Sequence, residues 1–105
     1  MTSVKLLKTA SDRLCGYEVS GHAGFAKTGK DIVCSALSFL SITCANALES
    51  VAGKKPSIRI NEQQGQLLIT LQETELTEQT DIIFKVFKQG ISDLSAEYPQ
   101  YIKTI

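Results

Sequence analysis

The sequence predicts an α+β domain in which a mostly antiparallel sheet of four to five strands packs against two helices, in the order ββαββα(β). Two observations support this. Short segments with an apolar residue at every second position occur in pairs separated by turn residues, and two long segments repeat apolar residues every three or four positions. With 105 residues the chain is long enough for one modest core, so residues 1–105 are expected to form a single domain.

Two hairpins account for the first four strands. Residues 3–8 and 13–21 are predicted to pair around a turn at residues 9–12. Residues 57–61 and 66–71 are predicted to form the second hairpin, whose turn contains a glycine. These later strands carry no reactive pairing of side chains, so they are interpreted as scaffold.

The first helix is predicted to begin at Asp31, as its N-cap or first-turn residue, and to end at a C-cap formed by Gly53. One face of this helix repeats apolar residues at helical spacing and is expected to be buried. Its members are Val33, Leu37, Leu40, Cys44, Ala47, Leu48 and Val51.

A second stripe of the same helix contains only small residues, namely Cys34, Ser38, Ser41 and Ala45. It is interpreted as a packing groove or as room for a substrate chain beside the Cys34 sulfur. Phe39 and Ile42 point in a third direction. A helix that is apolar nearly all round is usually buried on more than one side, so a homodimer contact is expected.

The second helix is predicted to open at Thr77 and to stop at Tyr98 and Pro99, before a short last strand at residues 101–105. Its predicted apolar stripe consists of Ile82, Ile83, Val86, Phe87, Ile91 and Leu94.

Charge and cysteine content exclude several classes of protein. The 11 basic and 11 acidic residues cancel and form no basic run, so direct binding of nucleic acid is not expected. Three cysteines without a Cys-x-x-Cys spacing, together with one histidine, indicate neither a disulfide framework nor a metal site. A reduced, cytoplasmic protein is expected. We find no signal peptide, and polar residues interrupt the most apolar window, so no membrane association is expected either.

Cys34 and His22 are the candidate nucleophile and base. A helix that begins at Asp31 places Cys34 at about the third helical position, where unpaired N–H groups and the helix dipole favour a thiolate and can stabilise an oxyanion. His22 ends the second predicted strand, and the connecting loop can bring its imidazole to the sulfur, as covalent acyl transfer requires. A small buried cysteine and a structural histidine are the alternative interpretation, which we also apply to Cys15 and Cys44.

The connection between the second strand and the first helix contains glycines and small residues. It is interpreted as a mobile cover over the site, or else as an ordinary strand-to-helix connection. The residues assigned to this predicted substrate loop are Gly21, Ala23, Gly24, Phe25 and Gly29.

The segment GHAGFAKTGKDIVCSALS, residues 21–38, resembles the ribosomal-processing cysteine protease family (Prp). That family is marked by Gly-His-Ala, a glycine-bearing loop, Gly-x-Asp-Ile-Val-Cys, and a serine four residues after the cysteine. This chain has all of these features and departs at Ser35, where the family usually has alanine.

The resemblance implies a cytoplasmic cysteine endopeptidase that removes an N-terminal extension from a large-subunit ribosomal protein by cutting after a phenylalanine, without a cofactor. It makes Cys34 the nucleophile and His22 the general base, with Asp31 and Ser38 in supporting positions. No third residue that would orient His22 is evident, so a dyad is expected. Asp31 is equally well explained as a helix cap.

Two other functions remain open at this point. A ribosome-associated module would bind a peptide without cutting it, and its Cys34 would react no faster than a simple thiol. A redox enzyme would need a second cysteine close to Cys34, and the absence of a Cys-x-x-Cys motif weakens that interpretation.

Overall fold

The computed structural model describes residues 1–21 and 28–105, with side chains of the first helix described from residue 32 onward. The strands in this part are β1 (Thr2–Lys8), β2 (Leu14–Ser20), β3 (Ser57–Asn61), β4 (Gln66–Thr70) and β5 (Ile102–Thr104). The long helices are α1 (Thr28–Ser50) and α2 (Glu78–Glu97). The predicted order ββαββα(β) is confirmed.

The five strands form one sheet in the order β3-β4-β2-β1-β5, in which every pair is antiparallel except β1 and β5. Both helices lie on the same face of this sheet, because Tyr17 of β2 contacts each of them. Its ring stacks on Phe87 of α2 with centroids 3.7 Å apart, and its hydroxyl donates a hydrogen bond of 2.6 Å to the Ser41 carbonyl of α1. The domain is therefore a two-layer structure with its core between sheet and helices.

The start of α2 is as predicted, since Thr77 is the N-cap and its side chain accepts a hydrogen bond from the Thr80 amide. The predicted apolar stripe is partly wrong. Ile82 and Val86 are 60% and 54% exposed, whereas Phe84, which the stripe left out, is 1% exposed and packs edge-on against Tyr17. Neighbouring apolar rows on one helix fit the same periodicity, and only the sheet decides which row is buried.

The start of α1 differs from the prediction. The helix begins at Thr28, before Asp31, so Asp31 is its fourth residue and Cys34 its seventh. Gly29 is the second helical residue rather than part of the connecting loop. A glycine costs a helix only about 1 kcal/mol relative to alanine, which tertiary packing of the rest of the helix outweighs. The end is as predicted, with α1 finishing at Ser50 and Gly53 at a φ of 68°.

The outer side of α1 is unusually apolar. Phe39 is 72% exposed, and by length and composition alone the segment Ile32–Ser50 is long and apolar enough to cross a membrane. The core helix of a globular domain meets the same two criteria. Val33, Leu37 and Leu48 of α1 pack into the core of this domain, as such a helix does.

Candidate active site

Cys34 lies on the wall of a groove of about 410 Å³, a size typical of ligand sites. Ser38 and Ser41 follow Cys34 along the same wall. The stripe of small residues therefore borders an open space beside the sulfur, which is one of the two interpretations that its composition allowed. Leu37 and Ile42 flank these residues and make the helix side of the groove partly apolar.

The opposite wall comes from the hairpin of β3 and β4, which the sequence analysis assigned to the scaffold. Ile60 and Leu67 give this wall its apolar surface, and Asn61, Glu62 and Gln66 add polar groups. The period of two along β3 and β4 shows which residues share a face of the sheet. It carries no information about which helix that face meets, so no signal in the sequence identifies these residues.

The third side of the groove is formed by β1 and the end of β2, through Thr2, Val19 and Gly21. Gly21 has a φ of 127°, and its amide donates a hydrogen bond of 3.2 Å to the Gly65 carbonyl. A Cβ at this position would lie 2.6 Å from the Met1 carbonyl oxygen. The backbone at Gly21 is thus fixed beside the groove in a conformation that only glycine adopts readily.

Gly21→Ala is expected to lower both the stability and the activity of the protein. The new Cβ meets backbone atoms that cannot move aside, and the strained φ adds a cost of about 1–3 kcal/mol. Gly53→Ala is the matched control, since Gly53 also has a positive φ but open space around it. Thermal unfolding should show a larger loss for Gly21→Ala than for Gly53→Ala. An equal decrease in unfolding temperature for the two variants would mean that the contact with the Met1 backbone is unimportant.

Cys34 is half-buried and carries a free thiol. As the seventh residue of α1 it lies beyond the first turn, to which the effect of the helix dipole is confined. The N–H groups without an intrahelical acceptor are those of the first four helical residues, so the Cys34 N–H is committed to the helix. Stabilisation of an oxyanion by backbone N–H groups at the start of the helix remains a prediction, and for Cys34 itself the position in α1 offers no unpaired N–H.

The other predicted site residues are placed as follows. Ser38 lies one turn after Cys34 and is exposed to the groove. Asp31 and Gly29 belong to the first turn of α1, and the roles assigned to them remain predictions. The remaining ones, His22, Ala23, Gly24 and Phe25, lie outside the described residues. The structure thus brings Cys34, Ser38 and Gly21 together around one groove.

Cys15 and Cys44 pack in or against the core, as predicted. Burial raises the pKa of both thiols, and the nearby Glu73 carboxylate raises that of Cys15 further. The helical rise separates Cys44 from Cys34 by about 15 Å along α1, whereas a disulfide needs Cα atoms within about 7 Å. Cys15 lies near the start of β2, about 20 Å of extended chain from Gly21 at the groove. Cys44 therefore cannot pair with Cys34, and Cys15 lies at the end of β2 away from the groove, so the structure gives no support to the redox interpretation.

Comparison with known proteins adds independent evidence. The family model of cysteine protease Prp matches residues 1–103, nearly the whole chain. The chain is 21% identical over 106 residues to the ribosomal processing cysteine protease Prp of Bacillus subtilis (strain 168), a match that covers 98% of this chain and 95% of that relative.

Solved structures show the same architecture. SMU.848 from Streptococcus mutans is 31% identical and superimposes with a TM-score of 0.88 over 99% of this chain and 91% of that one. An essential ribosomal processing protease Prp from S. aureus, solved in complex with a substrate peptide, superimposes with a TM-score of 0.89 over 100% of this chain and 98% of that one. Its identity of 21% makes it evidence for the fold alone. With a family match over residues 1–103 and a free cysteine on the wall of a groove, the chain belongs to the cysteine protease Prp family and is a cysteine-type endopeptidase.

Proposed function

We propose that this protein removes the N-terminal extension of a large-subunit ribosomal protein, with Cys34 as nucleophile and His22 as general base, as a step in ribosome biogenesis. One observation carries the proposal: Gly21, the residue bonded directly to His22, lines the same groove as Cys34. The B. subtilis relative is a ribosomal processing protease, which supports the choice of substrate.

The proposed reaction is an acyl transfer through the Cys34 sulfur. His22 takes the thiol proton, the sulfur attacks the scissile carbonyl carbon, and the tetrahedral intermediate expels the amine of the downstream peptide, which receives the proton from His22. A thioester to Cys34 remains. His22 then removes a proton from water, which attacks the thioester, releases the upstream peptide as a carboxylic acid and restores the thiol.

The walls of the groove suit an apolar residue before the cleaved bond. Leu37 on one side and Ile60 and Leu67 on the other bound a space that can shelter a phenylalanine ring from water. Glu62 at the groove adds a negative charge, which matches the basic character of ribosomal proteins.

The test uses a synthetic peptide that spans the junction between the extension and the mature ribosomal protein. We expect one cut, after phenylalanine, with both fragments identified by mass spectrometry. A peptide with phenylalanine replaced by aspartate is the control and should remain intact, because a carboxylate is poorly solvated between apolar walls. Saturable binding of the first peptide without any cleavage would instead identify the non-catalytic peptide-binding module.

A homodimer in the cytoplasm is part of the same proposal. Ile32 and Phe39 are each more than half exposed along the outer side of α1, and such a surface commonly packs against a second copy. All three cysteines are free, which suits a reducing compartment. Sedimentation equilibrium should give twice the 11.4 kDa mass of one chain, and a monomer mass would contradict the dimer. Activity confined to a membrane or secreted fraction would contradict the location.

A further inference from the structure

Ser41 lines the groove, and its buried hydroxyl has no hydrogen-bond partner. Ser41 is 1% exposed, and its Oγ is the one buried side-chain polar atom without a partner in the part of the chain that the structure describes. A helical serine commonly donates to the carbonyl of the preceding turn, but Ser41 does not. A buried hydroxyl left unpaired destabilises the free protein, so this one is available for a partner that the free protein lacks.

The backbone that carries this hydroxyl is held in place. Tyr17 donates a hydrogen bond of 2.6 Å to the Ser41 carbonyl, and Tyr17 is itself completely buried and stacked on Phe87. The turn of α1 around Ser41 is therefore anchored to both the sheet and α2. A polar atom fixed in this way is pre-organised to bind a ligand.

We propose that Ser41 is a substrate-binding residue whose hydroxyl forms a hydrogen bond with the main chain of the peptide in the groove. The inference rests on the proposed function and extends it. An extended peptide buries its own N–H and C=O groups when it enters the groove, and each must find a new partner there. The residues beside Ser41, Leu37 and Ile42, are apolar and suit peptide side chains.

The spacing along α1 indicates which residue is involved for a peptide that lies along this helix. Ser41 lies two helical turns after Cys34, about 10 Å along the helix axis. A peptide that lies along α1 in an extended conformation advances about 3.3 Å per residue, so in this orientation the contact falls about three residues from the scissile bond. Ser41 would thus set the register in which a long peptide is held against Cys34.

The variant Ser41→Ala tests the inference. For a peptide with at least five residues on each side of the cut, kcat/KM should fall by about 3- to 10-fold, the effect of losing one hydrogen bond. The loss should appear mainly in KM, because the contact is the same in the ground state and the transition state. A peptide with two residues on each side should be cleaved equally by variant and wild type.

Stability separates a binding role from a structural one. If the hydroxyl is unpaired in the free protein, Ser41→Ala should unfold at a temperature equal to or above that of the wild type, although it cleaves less efficiently. Ser50→Ala is the matched control, since it removes the same atom from an exposed position of α1 outside the groove and should change neither property.

Peptides in which single amides are replaced by esters locate the contact. An ester about three residues from the cut should lower kcat/KM for the wild type. The same ester should leave kcat/KM of Ser41→Ala unchanged, because the variant already lacks the hydrogen bond. The inference is wrong if Ser41→Ala cleaves the long peptide as well as the wild type does, or if kcat/KM falls equally for the long and the short peptide. It is also wrong if Ser41→Ala unfolds at a lower temperature than the wild type. Failure of the proposed function differs from all of these, because the wild type would then cleave no peptide.

Discussion

Cys34→Ala is expected to reduce cleavage of the junction peptide by roughly 10³-fold or more, while the fold remains intact. The sulfur forms the covalent bond to the substrate, and the exposed Ser38 hydroxyl one turn away is a much weaker nucleophile. Alanine suits both the helix and a half-buried position, so stability should change little. Initial rates give the loss of activity, and circular dichroism on the same sample checks the fold.

Cys15→Ala is the matched control for this variant. It removes a sulfur of equal size from a half-buried position against the core, far along β2 from the groove. We expect a modest loss of stability and an unchanged kcat/KM. Turnover by Cys34→Ala within a few-fold of the wild type would end the assignment of Cys34 as nucleophile.

His22→Gln is expected to lower kcat by about 10²- to 10⁴-fold, the usual contribution of a general base. Glutamine keeps polarity and similar size but cannot exchange a proton near neutral pH, and the chain has no other histidine to replace it. The pH dependence of kcat provides the second measurement. The kcat of the wild type should increase with pH through the range in which an imidazole titrates, and the kcat of His22→Gln should lack this increase.

Combining the two substitutions shows whether the residues act as one unit. The double variant Cys34→Ala, His22→Gln should be no slower than Cys34→Ala alone, because a base without its nucleophile has nothing to activate. If Cys34 and His22 acted independently, the fold-decreases in rate of the two single variants would multiply in the double variant. A kcat for His22→Gln close to that of the wild type would show that another group accepts the thiol proton.

The sequence predicted the fold well because its signals are local. The strand segments β1 to β4 and the cap at Thr77 follow from neighbouring residues, and the structure confirms both. The errors concern features that tertiary contacts decide. Burial of Phe84 rather than Ile82 depends on where Tyr17 lies, and the early start of α1 depends on packing that outweighs the cost of Gly29.

Only the side of the candidate site that α1 supplies could be predicted from the sequence. The stripe with Cys34, Ser38 and Ser41 follows from helical periodicity, and all three line the groove. The facing wall with Ile60 and Leu67 depends on the sheet order, which places β4 beside β2 through a long-range pairing. The unpaired state of the Ser41 hydroxyl likewise exists only in the folded protein.

Stoichiometric alkylation of the wild-type protein tests the central assignment most directly. Iodoacetamide is added in steps at neutral pH, and each sample is divided between a peptide-cleavage assay and peptide mapping by mass spectrometry. Cys15 and Cys44 serve as internal references, since burial raises the pKa of both thiols and slows their reaction. We expect activity to fall in proportion to the label on Cys34, and the substrate peptide to slow both changes. Full activity with Cys34 completely alkylated would contradict its role as the nucleophile.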